Sequence, residues 1–149
     1  NTTDPNNPHH SRRNDTFTPA SAPQPQNPEA DARVRAWVAA RRPSDLFLSA
    51  ITVLEIEVGI ARLGRRDRAQ AARLQTWLDE ELLDVFTGRI LPVDILVARR
   101  AARLHVPDPR PERDVLIAAT AAVHGLTVAT RNIKDFEPLG VAVVSPWWP

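Results

Sequence analysis

Between residues 46 and 144, short apolar runs of strand length alternate with stretches of helical period, and this alternation leaves few architectures open. The runs at 46–51, 90–93, 126–130 and 141–144 are apolar for most of their length. That pattern belongs to strands covered on both faces rather than to strands with one wet side. Strands that alternate with helices imply an α/β domain with a mostly parallel sheet and helices on both faces.

The intervening stretches carry helical signatures. Val34, Trp37 and Val38 fall at helical spacing after Pro28, which predicts a helix to about residue 41. Thr52 is placed to cap the next helix, with Glu55 three residues on as a capping-box partner; Leu54, Val58 and Ala61 form its apolar stripe and Gly64 its end. A charged helix over 66–83 presents Ala71, Leu74, Leu78 and Leu82, and Gly88 closes it. Residues 95–104 align Val97, Ala101 and Leu104. After a proline-rich loop at 105–113, an alanine-rich helix runs from Asp114 to His124 and ends at Gly125, a residue suited to a helix C-cap. A short turn or helix is expected around 133–136.

Composition breaks sharply near residue 29. Residues 1–29 hold six of the fourteen prolines and no Leu, Ile, Val or Trp. A segment of that kind cannot bury enough surface to offset its ordering entropy, so it is expected to be disordered, with residues 30–149 as the domain. His9 and His10 lie in it as a solvated pair. The sequence also lacks methionine, even at position 1. Together with the compositional break, this predicts a misassigned or frame-shifted start.

Bulk numbers exclude more than they assign. There are no cysteines, which rules out disulfides, thiolate metal sites and cysteine nucleophiles. No apolar run reaches membrane-spanning length and no signal peptide is visible, so a cytoplasmic protein with no membrane partner is expected. The net charge of +1 conceals many arginines beside a single lysine, Lys134, and decides nothing about partners.

The chemistry lies in acids at ordered places. Glu55 follows the first strand, Asp114 opens the alanine-rich helix, and Asn132 and Asp135 follow the third strand. In open α/β sheets, ligands bind beyond the carboxyl ends of the strands, where these positions converge. Gathered carboxylates repel one another and resist desolvation, and oxygen ligands suit hard ions such as Mg²⁺ or Mn²⁺. Each acid taken singly has a plainer reading: Glu55 as a capping-box glutamate, Asp114 as a macrodipole partner, Asp135 as a turn cap. Glu57, two residues from Glu55, is read as solvated, and His124 as a C-terminal dipole partner. His105 opens a loop. Trp37, Trp77, Trp147 and Trp148 are assigned to packing.

The succession SAITVLEIEVGI, GRILPVD, DVLIAATAAVHGLTVATRN and KDFEPLGVAVVSPW resembles the PIN-domain family, in particular its VapC- and FitB-like ribonuclease toxins, over roughly residues 30–149. The resemblance implies a three-layer α/β sandwich and a Mg²⁺- or Mn²⁺-dependent endoribonuclease, the toxin of a type II toxin–antitoxin pair. Glu55, Asp114 and Asp135 would be three of the family's four acids, holding the metal and carrying catalysis. Asn132, Arg131 and Thr130 would contact substrate phosphate. Implied partners are RNA, a cognate antitoxin and a second copy of the chain, with the apolar stripes of the helices between 30 and 83 as candidate contact faces.

The family opens with a central hydrophobic strand ending in Asp-Thr-Asn, and that strand is expected to be missing here. Asn14-Asp15-Thr16-Phe17 carries an echo of it, with Asp15 standing 22 residues before Trp37. Losing the strand would remove the fourth acid and leave backbone groups unpaired at about 1–3 kcal/mol each. Against a net stability of roughly 5–15 kcal/mol, that is a serious deficit. Impaired activity is therefore expected, and the rival reading is a non-catalytic PIN module that still binds an antitoxin or a sibling toxin.

Overall fold

The structure, a computed structural model, describes residues 36–146 and the backbone of residues 15–17. Five parallel strands lie in the order β3-β2-β1-β4-β5: β1 (Asp15–Phe17), β2 (Leu46–Ser49), β3 (Ile90–Leu91), β4 (Thr127–Ala129) and β5 (Val143–Val144). The helices are α1 (residues 36–39), α2 (Ala50–Gly64), α3 (Arg68–Trp77), α4 (Leu83–Val85), α5 (Ile95–Leu104), α6 (Glu112–His124) and α7 (Ile133–Phe136). A π-helical stretch, Leu78–Leu82, joins α3 to α4. The α/β class and parallel sheet are as the alternation predicts.

The expectation of a missing central strand is corrected. Asp15–Phe17 occupies the middle of the sheet, with Asp15 and Thr16 paired to Leu46 and Phe47 of β2, and Asp15, Thr16 and Phe17 paired to Thr127, Val128 and Ala129 of β4. Backbone pairing asks only for extended chain, so a segment with one large apolar residue can fill the slot that apolar patterning failed to reveal. The rest of the expected disordered leader lies outside the described residues, as do Val34, Trp147 and Trp148.

Helix α2 begins earlier than its sequence suggested. Ser49, fully buried, caps it by accepting the Ile51 N–H at 3.1 Å, so Thr52 lies inside the first turn and Glu55 is no capping-box partner. The rotation moves the buried stripe to Ile51, Thr52, Ile56 and Ile60, leaving Leu54 of the expected stripe 45% exposed. Helix α3 and the π-helical stretch pack Ala71 and Leu78 against Ile56 and Ile60, with Leu74 and Leu82 at the margin, as the sequence stripe predicts.

The main core lies between the sheet and the α5–α6 pair. Val97 and Ala101 of α5 meet Val115, Ala118 and Ala119 of α6 in a cluster that also takes in Ile51, Val128 and Phe136. Alanine on α6 lets the helices approach closely. Gly125 at φ 66° ends α6 in the left-handed region, and the chain returns directly into β4. A smaller cluster of Leu46, Leu48 and Phe86, flanked by Trp37, covers the other side of β2. There the Arg89 guanidinium donates to the carbonyls of Pro43, Leu46 and Val85, tying β3 to the start of β2.

Candidate active site

Three chain segments reach the carboxyl edge of the sheet. Helix α2 leaves β2 there, α6 starts there before returning to β4, and residues 130–135 follow the end of β4. A parallel sheet forces this: each helix runs back against its strands, so its first turn lies beside the strands' carboxyl ends. Glu55, Asp114 and Asp135 come from these three segments.

Charge couples Glu55 to Asp114 and Asp114 to Asp135. Burial raises the Glu55 pKa first, the Asp114 charge raises it further, and the Arg113 guanidinium opposes both. Asp114 is likewise raised by burial and then by the charge of Asp135. The acids thus form a coupled row with Asp114 in the middle. The capping-box reading of Glu55 is gone, since the helix starts at Ala50 and Glu55 belongs to its second turn. Asp114 does sit in the first turn of α6, where the macrodipole favours it. Its raised pKa means that burial and repulsion outweigh that help.

The turn after β4 shapes the remainder. Thr130 is buried, and its Oγ1 accepts the Asn132 N–H at 3.1 Å, which bends the chain into α7. Asn132 is exposed at the N-cap of α7, and its side chain makes no capping bond. Asp135 is exposed, and Arg131 is half-buried beside them. Glu57 is exposed, as expected, within reach of Gln75 Nε2 at 3.4 Å. His124 is exposed in the last turn of α6, and His105 Nδ1 accepts the Arg110 N–H, shaping the loop that precedes Asp114.

Two residues near the acids had no place in the site as read from sequence, where Thr52 was a helix cap and Arg113 only part of a loop. Arg113 supplies the local counter-charge to Glu55, and its position next to Asp114 was the available clue. Thr52 is 0% exposed and its Oγ1 has no hydrogen-bond partner, one helical turn before Glu55. No sequence signal marks an unpartnered hydroxyl.

The donor set suits a hard divalent cation in its chemistry. It offers oxygen ligands only, with Glu55 and Asp114 partly desolvated, Asp135 exposed, and an unpartnered buried hydroxyl nearby. Among the described residues, no three His, Asp or Glu side chains close into a group able to grip an ion unaided. Asp15, the candidate fourth acid, stands in register with Leu46 and Thr127, the first residues of their strands. It therefore opens β1 at the amino edge, about 7 Å of strand short of Phe17 at the carboxyl end.

A PIN-domain family model matches residues 26–139. A VapC ribonuclease of Sinorhizobium fredii is 37% identical over 126 residues, covering 81% of this chain and 89% of that protein. Toxin FitB of Neisseria gonorrhoeae is 39% identical over 132 residues, covering 83% and 91%. Among solved structures, FitAB bound to a DNA fragment superposes with a TM-score of 0.77 at 34% identity, over 90% of this chain and 96% of that one. FitAcB of Neisseria gonorrhoeae gives 0.74 at 38% identity, over 86% and 91%.

Proposed function

The chain belongs to the PIN-domain family, in its VapC- and FitB-like branch, and on that premise we propose that it is a metal-dependent endoribonuclease, the toxin of a type II toxin–antitoxin pair. The observation that carries this reading is the coupled row Glu55–Asp114–Asp135, drawn from three separate segments at the carboxyl edge of the sheet.

In this reading Asp114, Asp135 and, directly or through water, Glu55 would hold Mg²⁺ or Mn²⁺. A bound divalent ion supplies an activated water and neutralises charge on the phosphoryl oxygens. Glu55, with its raised pKa, accepts the proton that the attacking water loses. The water oxygen bonds to phosphorus, the bond to the departing ribose oxygen breaks, and that oxygen leaves with a proton from solvent. Asn132 and Arg131 orient the phosphate, while Thr130 holds the turn that presents them.

Partners follow from the same premise. No helix among the described residues is long and apolar enough to cross a membrane; in this reading the toxin acts in the cytoplasm. An apolar groove of about 490 Å³, lined by Val38, Trp77, Leu82, Val85 and Phe86 among others, is the face we assign to an antitoxin. Val38, Trp77 and Leu82 come from the stretch between 30 and 83 whose apolar stripes suggested such contacts, and Val85 and Phe86 follow it directly. A homodimer is part of the same proposal.

Incubation of the purified chain with structured RNA and Mg²⁺ or Mn²⁺ tests the assignment. Cleavage that disappears in Asp114→Asn and on chelation supports it. The register of Asp15 favours the second reading, a non-catalytic PIN module. Absence of cleavage together with retained antitoxin binding would establish that reading instead.

A further inference from the structure

Outside the acidic row, the strongest charged feature is a groove of about 340 Å³ lined by Leu96, Arg99, Arg100, Arg103 and Val123. Leu96 lies in the first turn of α5 and Val123 in the last turn of α6, so the two helices run antiparallel and the groove follows their seam. All three arginines are exposed, and among the described residues none of them makes an ion pair. Helix α5 contains no acidic residue. Arg99 and Arg103 stand one turn apart, about 6 Å along the axis, with Arg100 beside them. Arg103 lies at the end of the hairpin from which the chain turns into α6, whose first turn carries Asp114.

We propose that this seam is a docking track for the RNA sugar–phosphate backbone, separate from the acidic row and leading towards it. It rests on the reading of RNA as the substrate. Three unpaired guanidiniums at helical spacing present forked donors matched to phosphate oxygens. The apolar floor of Leu96 and Val123 offers no competing carboxylate. A second copy of the chain would have to bring carboxylates to this face to match it, and α5 carries none of its own to offer in return. The track contributes affinity and direction without sequence preference, since phosphates carry no base identity.

The test uses the full chain as Asp114→Asn, so that RNA stays intact, with a labelled mixed-sequence single-stranded RNA titrated at several salt concentrations. Adding Arg99→Gln, Arg100→Gln and Arg103→Gln is expected to weaken binding roughly tenfold and to flatten the log–log salt dependence by about 2. The corresponding triple Arg→Lys variant keeps most of the salt dependence. Circular dichroism and oligomeric state should match the parent. An unchanged Kd and salt slope would overturn the track while leaving the RNA reading intact. A change of oligomeric state with RNA affinity retained would also overturn it, assigning the face to contacts between copies. If the Asp114→Asn parent binds no RNA at all, the RNA reading falls and the track with it.

Discussion

Replacing Asp114 by asparagine removes the middle charge of the row Glu55–Asp114–Asp135, and its two effects have opposite value. Cleavage should be lost, because the residue that couples to both other acids no longer carries charge. Stability should rise, because burial and Asp135 both oppose ionisation there. Solvent screening keeps the gain small, about 1–3 °C in Tm, readable by calorimetry without metal. The pH dependence has the same origin. Glu55 and Asp114 have folded-state pKa values above their ordinary 4.5 and 3.8, so over that window the folded chain retains protons the unfolded chain has lost. Metal-free stability should therefore fall as pH rises through the window and level off above it. Affinity for Mn²⁺ should move the other way, weakening as acidification protonates the ligands, and titration calorimetry at stepped pH would show this. Thr52→Val removes a buried hydroxyl that has no partner, at nearly constant shape. It should stabilise the metal-free protein by about 1 kcal/mol in urea unfolding; a loss of that size would mean the hydroxyl is bonded in solution.

At the level of elements, β1 carries the decisive test. Thr16 lies at the centre of the sheet, paired to Phe47 on one side and Val128 on the other. Thr16→Pro removes a ladder donor from a central strand, and should cost about 2 kcal/mol or more. A chain whose sheet did not use this segment would unfold at the same urea concentration with or without the substitution. Gly125→Ala asks a narrower question, since an added Cβ there meets no atom within 4 Å and only the φ of 66° resists it. The expected cost is about 1 kcal/mol. Most elements were legible in the sequence. Helix α5 has the predicted bounds, because Asp94 caps it through the Val97 N–H and its apolar stripe is unambiguous. The start of α2 was misread because Ser49 and Thr52 are both good caps, and only the extent of β2 selects between them.

For the whole molecule, a cation bound to the acidic row, as proposed, would link site to stability. A ligand that binds only the folded state stabilises by about 2.7 kcal/mol at a hundred times its Kd. Mg²⁺ or Mn²⁺ should raise Tm saturably in the parent and not in Asp114→Asn. The amino-acid order alone determined the α/β class and the family resemblance, and it nominated the three acids, because periodicity and local motif are properties of consecutive residues. Tertiary structure decided what depends on neighbours distant in sequence. It placed Asp15–Phe17 in the centre of the sheet, since pairing is made by backbone groups that every residue carries. It also set Asp15 at the amino edge by register, brought Arg113 to bear on Glu55, and left the Thr52 hydroxyl buried without a partner. Register, burial and charge coupling are relations between separate segments, and they exist only once the chain has folded.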